Sequence, residues 1–282
     1  MNAPAVSHPL TADHQSDRIA IRRGGRELLV QNARADHRPF IHPIVAPDGD
    51  GILTENAPPH HPWQHGLYVG LNDVDGVGFW TEGLTNNPTD GSFHPRPLGQ
   101  PTIDGNSASW AVVSEWRRPG GAPLLTETQS WTLHDHGTSF ELDLVWTLAA
   151  IVPLTFGEYS YGGLFVRMPF RERGSVITSE GHADCASAEA QRARWVAISM
   201  PLPDRLAAGG IAGLAMIDHP SNPEYPAPWR VDGQFGIAPS RCIAGAWKLA
   251  AGTATTSRIR TFIHGGPTNA AAVEESWARF AR

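Results

Sequence analysis

The segment HHPWQHG, residues 60 to 66, places three histidines, a tryptophan and a glutamine within seven positions. Imidazole titrates near neutral pH, so a histidine fixed beside a cleft can give or take a proton without extreme tuning. Pro58 and Pro59 precede the segment, and GLYVGL follows it with strand-like alternation. This pattern predicts a rigid loop that enters a strand and presents its histidines for acid–base work.

A divalent metal is a second interpretation of the same loop. His61 and His65 are four residues apart, as in the helical motif of zinc proteases, but Pro62 stands where that motif has glutamate. A loop could still supply two ligands if a distant histidine supplied the third; the candidates are His42, His219 and His264. We expect no cofactor, and keep a divalent metal as the alternative.

The loop also fits a carbohydrate surface. Flat rings such as Trp63 and Trp80 stack on the C–H faces of sugars while polar groups, here including His60, fix the hydroxyls. A simpler interpretation is that some of the histidines only form hydrogen bonds with the backbone of a tight loop. The residue types alone leave these interpretations open.

A second unusual segment, DHPSNPEYPAPW, covers residues 218 to 229 and contains four prolines. Because proline fixes φ and lowers the entropy of the unfolded chain, we expect this irregular segment to be ordered. Such a loop could form the wall of a site with Asp218, His219, Asn222 and Trp229. Alternatively, Asp218 and Asn222 only cap turns.

Two further residues lie in FGEYSYGGLFVRMPF, residues 156 to 170. Glu158 precedes a Gly-Gly pair, and Arg167 lies between Val166 and Met168 in a strand-like pattern. If Arg167 faces inward it needs an anionic ligand or a carboxylate partner, because an unpaired buried charge is costly. A substrate-binding arginine and a structural ion pair both remain open.

The chain reads as an all-β protein: a single antiparallel β-sandwich with few short helices. Alternating residues predict a hairpin over 124–133 and 139–148, and Gly24-Gly25 predicts another over 18–31. Helical patterns occur only near 183–195 and at the C-terminus, where Val273, Trp277 and Phe280 share a face. We expect a disordered tail over residues 1–17 and one domain over 18–282.

Composition excludes several classes of function. The formal net charge is -6 and no basic run occurs, which argues against nucleic-acid binding. The longest apolar stretch, around 144–156, is shorter than the roughly 20 residues that cross a bilayer. The N-terminus does not resemble a signal peptide, and Cys185 and Cys242 are expected to be free thiols, so a cytoplasmic protein is predicted. Oligomeric state is not predictable from these features.

Several segments together resemble the bacterial PmoA-like family of DUF6807 proteins: RPFIHPIVAPDG (38–49), HHPWQHGLYVG (60–70), VDGVGFWTEG (74–83), YGGLFVRMPF (161–170), DHPSNPEYPAPW (218–229) and IHGG (263–266). The resemblance implies a galactose mutarotase-like supersandwich. It also implies a place beside sugar dehydrogenases and sugar isomerase-like proteins, in the catabolism of sugars or oxidised glycosides. Members often read H-P-H-H-R-G where this chain has His61-Pro62-Trp63-Gln64-His65-Gly66, so His65 stands where arginine is common.

The leading hypothesis is an enzyme that transfers a proton on a sugar, keto-sugar or glycoside, as an epimerase, mutarotase or lyase does. The catalytic residues predicted for it are His61 and His65, with Glu158 or His219 as the opposing group. The predicted substrate-binding residues are His60, Trp63, Trp80, Arg167, Asp218, Asn222 and Trp229. The alternatives are a non-catalytic sugar-binding or partner-subunit protein, and a metal-dependent hydrolase or lyase.

Overall fold

An eight-stranded antiparallel sheet forms one layer of the fold. The computed structural model describes residues 9–35 and 37–282. With strands numbered in chain order, the spatial order of this sheet is β1 (Leu10–His14), β2 (Arg18–Arg23), β3 (Arg26–Asn32), β4 (Phe40–Ile44), β5 (Leu67–Gly70), β12 (Gly163–Val166), β17 (Ile237–Pro239) and β16 (Trp229–Val231).

A nine-stranded antiparallel sheet forms the second layer. Its spatial order is β13 (Ser175–Thr178), β14 (Trp195–Pro201), β15 (Ile211–Asp218), β19 (Ala254–Gly265), β10 (Ser139–Ala150), β9 (Pro123–Asp135), β8 (Ser107–Arg117) and β6 (Ser92–Pro97), while β7 (Thr102–Asp104) also pairs with β8. A small third sheet pairs β11 (Leu154–Phe156) with β18 (Trp247–Leu249). Strand β8 alternates buried and half-buried residues along its whole length, as expected for a strand with one face in a core.

The two large sheets pack face to face. One contiguous cluster of buried side chains takes Ile41 and Leu67 from the first sheet and Leu142 and Leu214 from the second. The layers are also joined by a hydrogen bond of 3.2 Å from the indole nitrogen of Trp110 to the side-chain oxygen of Gln31. The predicted all-β antiparallel sandwich is therefore confirmed, and the small third sheet is an addition that the sequence did not predict.

Both predicted hairpins form, as β9–β10 and β2–β3. The C-terminal helix α2 (Ala270–Phe280) also forms, and its cap is the side chain of Asn269, which accepts two backbone N–H groups. The helix predicted near 183–195 is only one turn, α1 (Cys185–Ala188), because Trp195 already belongs to β14. Two 3₁₀ turns cover Ala207–Gly210 and Arg241–Ala244.

The predicted disordered tail needs a correction. Residues 1–8 lie outside the described residues, but Leu10–His14 forms β1, which pairs with β2 along its full length. Leu10 is buried in the core and Ala12 packs against it, and these apolar contacts account for order in a segment whose remaining residues are polar. Among the described residues, no helix is long and apolar enough to cross a membrane.

The outer face of the eight-stranded sheet is covered rather than exposed. Phe40, Tyr68, Phe165 and Ala238 lie side by side on β4, β5, β12 and β17. Tyr68, Phe165 and Ala238 form a buried cluster with Trp80, and the partly buried residues Phe40, Trp63 and Tyr161 pack at its edge. We refer to this cluster as the aromatic platform.

A buried carboxylate organises the inner face of the nine-stranded sheet. Glu127 is 1% exposed and accepts hydrogen bonds from the indole nitrogens of Trp116 and Trp146, at 3.0 and 2.8 Å, and from the amide of Gln129, at 2.9 Å. Burial raises the pKa of Glu127, and the three donors partly offset that effect. The carboxylate thus satisfies donors that the core would otherwise leave unpaired.

Glu127→Ala is expected to lower the free energy of unfolding by about 3 kcal/mol or more, because each buried donor left unpaired costs ~1–3 kcal/mol. Urea unfolding measures the change. Glu115→Ala on the neighbouring strand β8 is the matched control, since Glu115 is a half-exposed surface residue whose loss should stay within about 0.5 kcal/mol. Similar losses for the two variants would contradict the role of Glu127.

Candidate functional site

The histidine loop, residues 57–66, is closed by its own backbone. The amide of His61 donates to Pro58 O at 2.9 Å, that of Gln64 to His61 O at 3.0 Å, and that of Ala57 to Gln64 O at 2.7 Å. Gly66 ends the loop with φ of 72°, and a Cβ there would lie 2.6 Å from Ile41 O. The loop is therefore an ordered non-helical turn that enters β5, as its prolines predicted.

Arg167 lies beneath this loop and is only 2% exposed. Its guanidinium donates to Gln64 Oε1 at 2.8 Å, to His60 Nε2 at 2.7 Å and to Gln234 Oε1, and its Nε lies 3.3 Å from Glu55 Oε2. Glu55 is therefore the carboxylate partner that the buried charge of Arg167 requires. The side chains of Gln64, His60 and Gln234 are additional neutral acceptors. Arg167 holds the histidine loop against the turn that follows β16.

That turn, residues 232–236, brings a second carboxylate to the loop. Asp232 Oδ1 accepts the backbone N–H groups of Gln234 at 2.8 Å and Gly236 at 2.9 Å, which fixes the turn. Asp232 also acts electrostatically on His61 and on Tyr68. Asp232 is thus a carboxylate that influences the pKa of His61.

His61 lies between aromatic neighbours and one strong charge. Its ring makes edge contacts with His60, with centroids 4.9 Å apart, and with Trp63, with centroids 5.5 Å apart. Burial and, after it, the charge of Arg167 lower the pKa of His61 below its ordinary value, while Asp232 acts in the opposite direction. His61 is therefore neutral at pH 7, and its buried Nδ1 has no hydrogen-bond partner among the described residues.

Two further buried polar atoms have no partner within the described part of the chain: the indole nitrogen of Trp63, whose ring contacts His61, and the hydroxyl of Tyr68. Tyr68 is 1% exposed and belongs to the aromatic platform. Burial raises the pKa of Tyr68, and its hydroxyl interacts electrostatically with Arg38, Glu82, Arg167 and Asp232. Its hydroxyl is therefore within the electrostatic influence of both Arg167 and Arg38.

A second charged group contains His65. The imidazole Nε2 of His65 lies 2.9 Å from Glu82 Oε2, and its Nδ1 lies 2.7 Å from Asn56 Oδ1. Arg38, which is fully buried, donates from Nε to Glu82 Oε1 at 2.6 Å and from its backbone amide to the same oxygen at 2.9 Å. Burial would raise the pKa of Glu82, but the Arg38 charge and His65 outweigh it and lower this pKa to about 2.

An open cleft of about 500 Å³ lies beside His65. His65, His37, Phe40 and Asn56 line it, and the ring of Phe40 stacks on that of His65 with centroids 4.8 Å apart. This volume lies within the usual range for small-molecule sites, which is roughly 300–1,000 Å³. His61, Trp63 and Tyr68 are not among the residues that line this cleft.

The metal ligands expected from the sequence are not brought together. Among the described residues, the group of side chains that could hold a metal ion is His37, His65 and Glu82, with ligand atoms within 4.8 Å of one another. His61 does not belong to this group, and neither do His42, His219 and His264. His65 is the one residue common to the expected set and the observed set.

Asp218 and Asn222 lie elsewhere, at a small cavity of about 40 Å³ between the sheets, which has room for water but not for a sugar ring. The carboxylate of Asp218 accepts from Asn222 Nδ2 at 2.6 Å and from the backbone of Ala227 at 2.9 Å, so both residues hold their own loop. Burial raises the pKa of Asp218 to about 6. Gly163 lines this cavity and lies four residues before Arg167. Along an extended strand this corresponds to roughly 13 Å, so the cavity is separate from the surroundings of Arg167.

Four other predicted residues are also separated from the histidine loop or buried. Trp229 is fully buried, and its indole donates to Ala193 O at 2.8 Å, so it belongs to the core. Trp80 is buried in the aromatic platform, 4.6 Å from the ring of Tyr161. Glu158 is exposed, and His219 binds Ser221 and contacts Phe280; neither lines the two cavities described above.

The residues that the sequence interpretation missed are mostly partners of predicted ones: Arg38, His37, Glu55, Tyr68, Glu82 and Asp232. Arg38 and Glu82 lie inside RPFIHPIVAPDG and VDGVGFWTEG, two of the segments that carry the family resemblance. Glu82 has a φ of 53°, a left-handed conformation that is unusual for glutamate. The sequence signal for Glu82 was a charged residue two positions after Trp80. Only the fold shows the partners of Glu82.

Comparisons with solved structures give distant matches. The galactose 1-epimerase from Lactobacillus acidophilus NCFM matches with a TM-score of 0.42 at 9% identity, over 90% of this chain and 100% of that chain. A galactose mutarotase related enzyme from Lactobacillus acidophilus matches with a TM-score of 0.35 at 10% identity, over 91% of this chain and 97% of that one.

The GH36 alpha-galactosidase AgaA from Geobacillus stearothermophilus matches with a TM-score of 0.42 at 10% identity, over 91% of this chain. This chain spans 40% of the length of that enzyme. Scores of this size transfer no ligand or activity from these proteins. No curated protein matches the chain in sequence.

A sequence family described as "Family of unknown function (DUF6807)" matches residues 18–278, which is most of the chain. The protein belongs to this family.

Proposed function

We propose that this protein is an enzyme that acts on a sugar, a keto-sugar or a glycoside by proton transfer, with His61 as the general base. The observation that carries the proposal is the position of His61: a neutral imidazole with an unpartnered Nδ1, held between Arg167 and the aromatic platform. A base of this kind can remove a proton from a carbon or a hydroxyl group at neutral pH.

The charge that develops on the substrate oxygen during such a step needs stabilisation. The indole N–H of Trp63 and the hydroxyl of Tyr68 are donors without a protein partner among the described residues. The Tyr68 hydroxyl is within the electrostatic influence of Arg167, whose guanidinium is fixed by its own partners, and the ring of Trp63 contacts that of His61. Donors that are fixed before the reaction stabilise an oxyanion without reorganisation, so we assign them this role.

The opposing acid–base group in the proposal is Asp232. Its Oδ1 is occupied by two backbone amides, so Oδ2 is the oxygen available to a substrate or to His61. The predicted opposing groups, Glu158 and His219, lie outside this arrangement. The proposal therefore pairs a neutral histidine with a carboxylate from a different loop as its two proton-transfer groups.

A carbohydrate is the proposed substrate class because apolar rings and hydrogen-bonding groups lie together. Trp63 and Tyr161 are half-buried at the edge of the aromatic platform, where flat rings can contact the C–H face of a sugar. His60 and Gln234, on two different loops, meet at Arg167 and provide polar contacts for hydroxyl groups. The resemblance to a family associated with sugar catabolism supports the same class.

Proton NMR in D₂O with free sugars, glycosides and 3-keto-glycosides tests the proposal. Exchange of anomers, loss of a carbon-bound proton signal or a new alkene signal is the expected result, and each identifies one reaction type. Line-broadening of the ligand without chemical change would contradict the enzyme and favour the non-catalytic sugar-binding protein. No effect on any sugar would contradict both.

His61→Ala is expected to reduce turnover of the substrate found in that panel by about 100-fold or more, the usual contribution of one acid–base group. His136→Ala is the control, because His136 is exposed in the β9–β10 turn. Circular dichroism and thermal unfolding check that both variants fold. Full activity of His61→Ala would remove His61 from the mechanism.

The pH dependence of kcat/KM should show the titration of His61. The base is active when unprotonated, so activity rises with pH through the pKa of His61, which lies below its ordinary value of 6.5. The acid limb of the profile should therefore lie below pH 6.5 and disappear in the residual activity of His61→Gln. An acid limb that persists in this variant would assign it to another group.

The Tyr68→Phe substitution is expected to reduce catalysis without lowering the free energy of unfolding. The hydroxyl has no partner among the described residues, so its removal should leave the free energy of unfolding unchanged or slightly higher. Loss of one oxyanion donor should lower kcat by about 100-fold. Urea unfolding and steady-state kinetics on the same preparation measure the two effects, and a variant with normal kcat would exclude the hydroxyl from the reaction.

A further inference from the structure

His37, His65 and Glu82 form a group of ligand atoms that the proposed proton transfer does not use. One nitrogen of each histidine and one oxygen of Glu82 lie within 4.8 Å of one another. His65 Nε2 and Glu82 Oε2 are 2.9 Å apart. In a tetrahedral site with metal–nitrogen and metal–oxygen bonds of ~2.0–2.2 Å, ligand atoms lie roughly 3.3 Å apart, so small adjustments would suffice.

The orientation of His65 provides a second, independent observation. Its Nδ1 lies 2.7 Å from Asn56 Oδ1, so this nitrogen carries the hydrogen and donates it to the amide oxygen. Its Nε2 faces Glu82 Oε2 at 2.9 Å, and a nitrogen and a carboxylate oxygen at this distance need a cation between them, either a proton on Nε2 or a metal ion. A metal-ligating histidine usually donates its other ring N–H to such an oxygen.

Glu82 is also held as a ligand would be. Arg38 donates to Oε1 twice, from its side chain and from its backbone, and leaves Oε2 for one ligand bond. Of the other cations at the cleft, Arg18 is paired with Glu27 at 2.7 Å. Arg34 contacts His37 Nε2 from an exposed position, so its side chain can turn into solvent when that nitrogen binds an ion.

The surroundings provide the open coordination positions of a reactive site. His37 and His65 line the cleft of about 500 Å³, so the side of the group that faces the cleft is open to water or to substrate oxygens. Two imidazoles and one carboxylate with open positions suit a divalent transition metal such as zinc or iron(II) rather than calcium or magnesium.

We propose that His37, His65 and Glu82 bind one divalent transition-metal ion at the wall of this cleft, with Asn56 and Arg38 as orienting partners. The ion would bind an oxygen of the ligand that occupies the cleft. This site goes beyond the proton transfer assigned to His61, since His61 is not among the three ligands. Either proposal can therefore fail while the other holds.

The test measures metal binding directly, without an activity assay. Protein produced without a histidine tag is freed of metal with a chelator and titrated with Zn²⁺ by calorimetry and with Co²⁺ by visible absorption. We expect one ion per chain. His37→Ala should weaken binding by at least about 100-fold, and Asn56→Ala by about 10–100-fold, the usual cost of losing an orienting partner.

His136→Ala is the matched control, because His136 also lies beside a glutamate, 3.2 Å from Glu141, but is exposed and outside the ligand group. Its affinity should equal that of the unchanged protein, as should that of His61→Ala. His37→Ala keeps the buried Glu82–Arg38 pair, and thermal unfolding of the metal-free variant confirms that it folds.

Equal affinity of the unchanged protein and His37→Ala would overturn the proposal and show adventitious binding. No binding at all would also overturn it, and would mean that a proton on His65 provides the cation facing Glu82. A loss of affinity confined to His37→Ala and Asn56→Ala, with both controls unchanged, is the result that supports the site.

Discussion

The cost of burying the guanidinium of Arg167 determines the arrangement of the histidine loop. A charge removed from water must be compensated by charge and hydrogen bonds nearby, or the folded state loses several kcal/mol. The compensating groups come from three segments: Glu55 before the loop, His60 and Gln64 within it, and Gln234 from the turn after β16. These segments lie together because each supplies a charge or hydrogen-bond partner to Arg167. The position of His61, between His60 and Trp63, follows from this requirement.

Arg38 imposes the same kind of constraint on the other side of Tyr68. Its guanidinium lies 4.5 Å from the centroid of the Tyr68 ring, and Gly70 leaves the space, since a Cβ there would lie 2.6 Å from Arg38 Nη1. The same phenol also lies within the electrostatic influence of Arg167. Each arginine has a carboxylate partner, which is Glu82 for Arg38 and Glu55 for Arg167.

Period-two alternation predicted most of the fold, because a strand with one buried face records its environment locally. The β9–β10 hairpin shows this, whereas the β2–β3 hairpin was predicted from its Gly24-Gly25 turn. The tail was mispredicted because β1 is held by pairing with β2 and by a single buried leucine, which no local pattern reveals. Polar character is a poor guide for a strand at a sheet edge.

The site was predictable only in part, for a related reason. Residue types identified the histidine loop and Arg167, but their partners are distant in sequence: Arg167 and Gln234 are separated by 67 positions, and Arg38 and Glu82 by 44. Asp218 and Asn222 show the converse case. The sequence left a site wall and turn caps open, and the structure shows a hydrogen bond between the two side chains and two between Asn222 and the backbone of Arg258 on β19. A polar residue's type gives its chemistry, and only the fold gives its partner.

The spacing of His61 and His65 acquires a different meaning in a loop from the one it has in a helix. A helix would place both imidazoles on one face, but here one ring faces Trp63 and the other stacks on Phe40 across the loop. His65 has both nitrogens occupied, by Asn56 and toward Glu82, so it cannot exchange a proton without breaking a contact. His61 has a nitrogen without a partner among the described residues. One loop thus carries one histidine suited to proton transfer and another suited to holding a cation, and the buried arginines on either side keep the two environments apart.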